Sequence, residues 1–152
     1  MAIKRTDTIK LQYPAPGINE SKRAPGVKVT GDIGLAYGKY VTDGTEVNGD
    51  VIEIAEIPRG CRVLTPSFRL VAQAGAAATF SMAIGDAADA TRYSTAFAVQ
   101  AGGTFTLANT QAAGFDPFLL TENTKILATL SGITTPSAGK SLSFYVEFVA
   151  TT

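Results

Sequence analysis

The side chains with the greatest chemical reach in this sequence are carboxylates. Asp43, Glu46 and Asp50 fall in one short stretch, and Asp86 and Asp89 in another. Paired carboxylates can divide acid and base work across a glycosidic bond, or supply hard oxygens to calcium. Neither stretch has the D-x-[DN]-x-[DN]-G spacing of a calcium loop. No tryptophan is present to build a sugar platform. Aspartate also recurs in turns because its side chain accepts hydrogen bonds from nearby backbone N–H groups, and that is the role expected of these residues. The other catalytic types are missing. There is no histidine, so no imidazole base near neutral pH. The lone cysteine, Cys61, has neither an imidazole partner nor a second thiol, and is expected to be a small buried hydrophobe. No Cys/His cluster suits zinc, and no glycine-rich stretch follows a phosphate-loop pattern. The expectation is a protein that is not an enzyme and uses no metal or cofactor.

These residues must be positioned by strands. From 141 to 150, Leu142, Phe144, Val146, Phe148 and Ala150 alternate with Ser143, Tyr145, Glu147 and Val149. A period of two marks a sheet with one buried face. Residues 79–85 alternate as cleanly, with Phe80, Met82 and Ile84 inward. Further strands are expected at 33–41, 50–57, 62–72, 94–99, 104–107 and 124–130. In 33–41, Gly34 and Gly38 weaken the strand or mark bulges. In 50–57, Ile52 and Ile54 share one face, with Val51 and Ile57 on the other. In 62–72, Leu64, Phe68, Leu70 and Ala72 lie together, and Pro66 signals an edge or a bulge. Gly102-Gly103 is a hairpin signal between two strands. A short helical turn has room only at 87–90, and a long turn is expected at 132–140. About eight strands with no convincing amphipathic helix read as all-β: an antiparallel β-sandwich, jelly-roll-like.

Residues 1–26 differ from the rest. Pro14, Pro16 and Pro25 oppose both helix and central strand. The segment reads as an extended N-terminal arm, with the sandwich domain occupying 27–152. Fully stretched, the arm would reach on the order of 85 Å, at ~3.3 Å per residue. It is locally basic, and Ile3, Ile9, Leu11, Tyr13 and Ile18 suit packing on a partner better than plain solvation. The candidate interaction residues are Lys4, Arg5, Ile9, Leu11, Tyr13 and Ile18 in the arm, with Arg59 and Arg92 in loops as weaker ones. Tyr37, Tyr40 and Tyr93 are candidates for an exposed recognition surface, although tyrosines in strands are commonly half-buried.

Thirteen basic and thirteen acidic residues cancel, so no overall field draws the chain to nucleic acid or to a membrane. Charged residues make up 17% of the 152, below the usual share of about 25%. A weakly charged surface of small residues fits burial against neighbours. The N-terminus shows no apolar core of a signal peptide, and no run nears the ~18 apolar residues of a membrane span. Synthesis in a cytoplasm without secretory export is expected.

Three stretches carry a family resemblance: VIEIAEIPRGCRVLTPSFRL, FSMAIGDAADATRYSTA and the terminal hairpin TKILATLSGITTPSAGKSLSFYVEFV. They resemble small structural proteins encoded in tailed-bacteriophage virion gene clusters, and are similar to head decoration (cement) proteins with a jelly-roll fold. The resemblance spans residues 50–150 and carries no catalytic residues. It implies a virion protein on the capsid exterior that binds the major capsid protein, associates with itself as a dimer or trimer, and braces neighbouring subunits. The alternative is a receptor- or carbohydrate-binding module of a phage head or tail fibre.

Overall fold

The computed structural model describes residues 3–5, 33–64, 67–107 and 119–150. Among these residues ten strands make up two sheets: β1 (Ile3–Arg5), β2 (Ile33–Asp43), β3 (Val51–Ile57), β4 (Cys61–Val63), β5 (Arg69–Ala72), β6 (Thr79–Gly85), β7 (Ser94–Ala98), β8 (Gly103–Thr106), β9 (Thr124–Thr134) and β10 (Ala138–Ala150). Sheet I has the order β1-β3-β9-β6-β7. Sheet II has the order β2-β10-β5-β8, with β4 also on β10. From β2 onward the chain repeatedly switches sheets, and every pairing there is antiparallel. This order is that of two Greek keys folded over one another, the jelly-roll arrangement. The described residues contain no α-helix, and residues 87–90 form bends and a turn, not a helical one.

The alternation in β10 and β6 sets the core. Leu142, Phe144, Val146 and Phe148 from β10 meet Phe80, Met82 and Ile84 from β6 between the sheets, all nearly inaccessible to solvent. Cys61 joins them as a buried free thiol, and burial pushes its pKa up.

The glycines of β2 serve a different purpose from bulging. The β2–β10 register runs unbroken from Ile33 to Val41, pairing Gly34 with Phe148 and Gly38 with Phe144. A Cβ on Gly34 would lie 2.5 Å from the tip of the Phe148 ring. The missing side chain at Gly34 makes room for the large inward ring of Phe148 on β10. The one irregularity in this pair falls between Ala138 and Ser141, at the far end.

Other local expectations change for non-local reasons. In β3, Ile54 has no register partner on β9, because the ladder steps from Glu53 to Ala55. This bulge reverses the alternation, so Ile57 turns into the core with Ile52 instead of away from it. The strand expected over 62–72 divides into β4 and β5, which lie along the same side of β10. Pro66 itself falls outside the described residues. Gly102-Gly103 does not close a hairpin. β7 belongs to sheet I and β8 to sheet II, and the glycines carry the chain between them. Gly102 has φ 71°, and a Cβ there would sit 2.5 Å from the backbone nitrogen of Ala74. The terminal pair is likewise no hairpin. β9 continues to Thr134 and β10 begins at Ala138, but they lie in opposite sheets, so the expected long turn is a short inter-sheet connection.

At the N-terminus, Ile3–Arg5 runs parallel to Val51–Glu53 on the outer edge of β3. The remaining arm residues up to 32 lie outside the described residues.

Candidate interaction surface

The carboxylates are committed to the backbone. Glu46 is buried and accepts three hydrogen bonds: from the Tyr40 hydroxyl at 2.6 Å, the Asp43 N–H at 2.8 Å and the Gly44 N–H at 3.1 Å. Asp50 accepts from the Val47 N–H at 3.2 Å, and Asp43 from the Thr45 N–H at 2.8 Å. Together they fold the β2–β3 loop. In the second acidic stretch, Asp86 is buried and accepts from the Ala88 and Asp89 N–H groups, both at 2.9 Å. It also pairs with Arg92 at 2.6 Å. Asp89 accepts from the Thr91 N–H and hydroxyl, and these bonds hold its pKa below the ordinary aspartate value. Among the described residues no group of three His, Cys, Asp or Glu side chains is placed to hold a metal.

The three tyrosines singled out from sequence separate. Tyr40 and Tyr93 are core residues, at 6% and 2% exposure. Burial pushes both phenol pKa values up; for Tyr40 the hydrogen bond to Glu46 adds to this, and for Tyr93 the Asp86 charge does. Both therefore leave the recognition surface. Tyr37 stays on it, for a plain geometric reason. It is an odd-numbered position of β2, and odd positions point away from the core.

On the outer face of sheet II, the register aligns Tyr37 with Tyr145 on β10, Tyr145 with Arg69 on β5, and Arg69 with Thr106 on β8. The row is in contact along its first three members. The Tyr37 and Tyr145 rings are 5.1 Å apart and tilted by 51°, and the Arg69 guanidinium lies 4.8 Å from the Tyr145 ring centre. Beside it, Leu35, Ser67, Arg69, Thr106, Tyr145 and Glu147 line a shallow groove of about 290 Å³. The same face carries most of the exposed large apolar side chains among the described residues. Ile33, Leu35, Tyr37 and Val41 of β2 are 67, 53, 43 and 48% exposed, and Val71 of β5 is also exposed. Tyrosine and arginine set among aliphatic residues is the composition of protein-contact surfaces. Covering the exposed half of one such aliphatic side chain is worth on the order of 1 kcal/mol.

The other expected residues are scattered. Lys4 and Arg5 lie in β1, on the edge of sheet I. Ile9, Leu11, Tyr13 and Ile18 lie outside the described residues. Arg59 sits in an exposed turn whose N–H donates to Asn123 Oδ1 at 3.1 Å. Arg92 is engaged by Asp86. Sequence reasoning missed Tyr145, Arg69 and Leu35 as surface residues. The alternation of β10 did place Tyr145 outward, but its neighbours on β2 and β5 depend on sheet order, which no local pattern encodes.

Comparison with solved structures finds similar folds in phage particles. A chain in the capsid of Ralstonia phage GP4 matches with a TM-score of 0.70 at 17% identity, covering 99% of this chain and 99% of that one. A chain in the capsid asymmetric unit of cyanophage Pam1 matches with a TM-score of 0.62 at 23% identity, covering 90% of this chain and all of the other. A chain in the acidic stable capsid structure of Helicobacter pylori bacteriophage KHP30 matches with a TM-score of 0.55 at 18% identity, covering 78% and 89%. At these identities the likeness is one of fold. No protein-family model matches the sequence, and no curated protein is detectably similar to it.

Proposed function

We propose that this chain is a structural virion protein that binds the outer surface of a bacteriophage capsid and cements neighbouring capsid subunits. The observation that carries the proposal is end-to-end similarity of fold to a chain in a phage capsid, over 99% of both chains. Three features of the molecule support it. Its acidic clusters are spent on loop backbone, so the residues best suited to hydrolysis serve folding. Its two sheets enclose one continuous buried apolar core. Its outer sheet II face offers an apolar and aromatic platform with an arginine, suited to a protein partner.

In this account the sandwich, residues 27–152, is the block that spans a subunit boundary, and residues 1–26 are an arm that reaches further. Lys4, Arg5, Ile9, Leu11, Tyr13 and Ile18 are its contact residues, and Arg59 and Arg92 are secondary. A protein that binds only the assembled shell stabilises the shell by mass action, and linked contacts multiply the effect. The test is co-sedimentation with undecorated capsids. Saturable, stoichiometric binding that raises the disassembly temperature of the shell is expected. Absence of binding by the full-length protein would end the proposal. The alternative, a glycan-binding module of a fibre, draws on the exposed Tyr37–Tyr145 pair; it predicts retention on glycan arrays with no affinity for shells.

A further inference from the structure

The turn between β2 and β3 places Asn48 directly before Gly49; of the four asparagines, Asn19, Asn48, Asn109 and Asn123, it is the one that precedes a glycine. An asparagine in that position is open to spontaneous deamidation. The main-chain nitrogen of the next residue attacks the side-chain carbonyl carbon, and glycine, with no Cβ, obstructs that attack least. Here both residues are docked on β9. Asn48 Oδ1 accepts from the Ile133 N–H at 2.8 Å, and the Gly49 N–H donates to the Leu130 carbonyl at 2.9 Å. Leu130 is 1% exposed, and its own N–H donates to the Asp50 carbonyl at 2.8 Å. The Asp50 N–H closes the turn on the Val47 carbonyl at 3.1 Å, with φ 88° at Gly49. Two effects oppose each other at this site. The Ile133 N–H polarises the Asn48 carbonyl, which by itself favours attack. The Leu130 carbonyl holds the proton of the attacking nitrogen, and that proton must leave first. The second effect wins, because a polarised carbonyl reacts with nothing while its nucleophile is tied elsewhere.

We propose that Asn48–Gly49 is a latent deamidation site, kept intact by its bonds to Ile133 and Leu130 of β9 and modified when the turn lifts off that strand. Asn48 is exposed, so water and base reach it once the turn opens. The Gly49 nitrogen then gives up its proton and bonds to Asn48 Cγ. The Cγ–Nδ2 bond breaks, and ammonia departs with the proton. Water opens the resulting cyclic imide at one carbonyl to leave aspartate, or at the other to leave isoaspartate. The net change is amide plus water to carboxylate plus ammonia, with no oxidant or further reactant. Isoaspartate routes the main chain through the former side chain and adds an extra carbon before Gly49. That carbon shifts Gly49 out of register with Leu130, so the turn does not redock. Either product adds negative charge to a stretch that already holds Asp43, Glu46 and Asp50. The modification is a one-way mark of an opening. It rests on this turn alone and stands apart from the capsid proposal.

The test incubates the full-length protein in mildly alkaline buffer, once folded and once in guanidinium chloride. Residue 48 is followed by peptide mass mapping, with isoaspartate and aspartate products separated by chromatography. The folded protein should deamidate at least about tenfold more slowly than the unfolded one, because the rate follows the fraction of time the turn is open. Ile133→Pro removes the N–H that holds Asn48 and should raise the folded-state rate several-fold, with circular dichroism confirming the fold. Glu46→Ala loosens the same turn from its other end, without touching β9, and should raise the rate as well. Equal rates for the folded and unfolded wild-type protein overturn the inference. So does a folded-state rate that neither variant raises.

Discussion

Gly34→Ala is the sharpest probe of how sheet II is built. The added methyl would meet three atoms of the Phe148 ring at 2.5, 2.7 and 3.1 Å. Carbon atoms pack best at about 3.5–4.0 Å, so the ring must retreat by roughly 1 Å. Phe148 is only 1% exposed and sits within the core, so it has nowhere to go without displacing other side chains. Overpacking of this kind costs about 1–3 kcal/mol. Stiffening the unfolded chain returns only about 0.4–1 kcal/mol. The net loss is about 1–2 kcal/mol, which for a chain of this length lowers Tm by roughly 2–8 °C. A double-mutant cycle then isolates the contact. Phe148→Leu costs about 1–2 kcal/mol by itself, but it vacates the space the methyl needs. The Gly34→Ala/Phe148→Leu pair should therefore be more stable than the sum of the single effects, by about 1 kcal/mol. Thermal or urea unfolding of the four proteins measures it. Strict additivity, or a stabilising Gly34→Ala, would show that Gly34 is not there to admit the ring.

Two further outcomes follow from the buried polar groups. Glu46→Ala strands the buried Tyr40 hydroxyl and two loop N–H groups, and should cost about 2–4 kcal/mol; Glu46→Gln retains acceptor capacity at one oxygen and should lose distinctly less in the same denaturant titration. The phenols of Tyr40 and Tyr93 and the Cys61 thiol all have raised pKa values in the fold, principally through burial. A raised folded-state pKa contributes stability that is complete below the unfolded value and lost as pH climbs above it. Tm should fall steeply above the ordinary tyrosine value of about 10, with tyrosinate absorbance from these two residues appearing only as the fold is lost. Ionisation of Tyr40 and Tyr93 near that value with the sandwich intact would refute the burial argument.

The architecture was legible where a strand has one wet face and one dry face. β10 keeps a strict period of two from Leu142 to Phe148, and Phe80, Met82 and Ile84 of β6 could be read inward in the same way, although Ala83 between them is buried as well. What was illegible is what two strands do to each other. Gly34 looks like a weakness until Phe148 is set opposite it. The bulge at Ile54 follows from the β9 ladder and is not encoded in the strand that bulges. Gly102-Gly103 has the composition of a hairpin, but Ala74 packs against it and the chain crosses to the other sheet. The candidate surface was hidden in the same way. Tyr37, Tyr145 and Arg69 are far apart in the chain and become one row only through the order β2-β10-β5. Tyr40 and Tyr93 have the same side chain as Tyr37, but they point into the core.

The most direct measurement is a cryo-EM reconstruction of undecorated phage capsids after incubation with the full-length protein. The account predicts added density on the shell exterior at symmetry-related subunit boundaries, with the sandwich placed so that Tyr37, Tyr145 and Arg69 face the shell. A bare shell, or a bound sandwich whose Tyr37 face looks out to solvent, would contradict it.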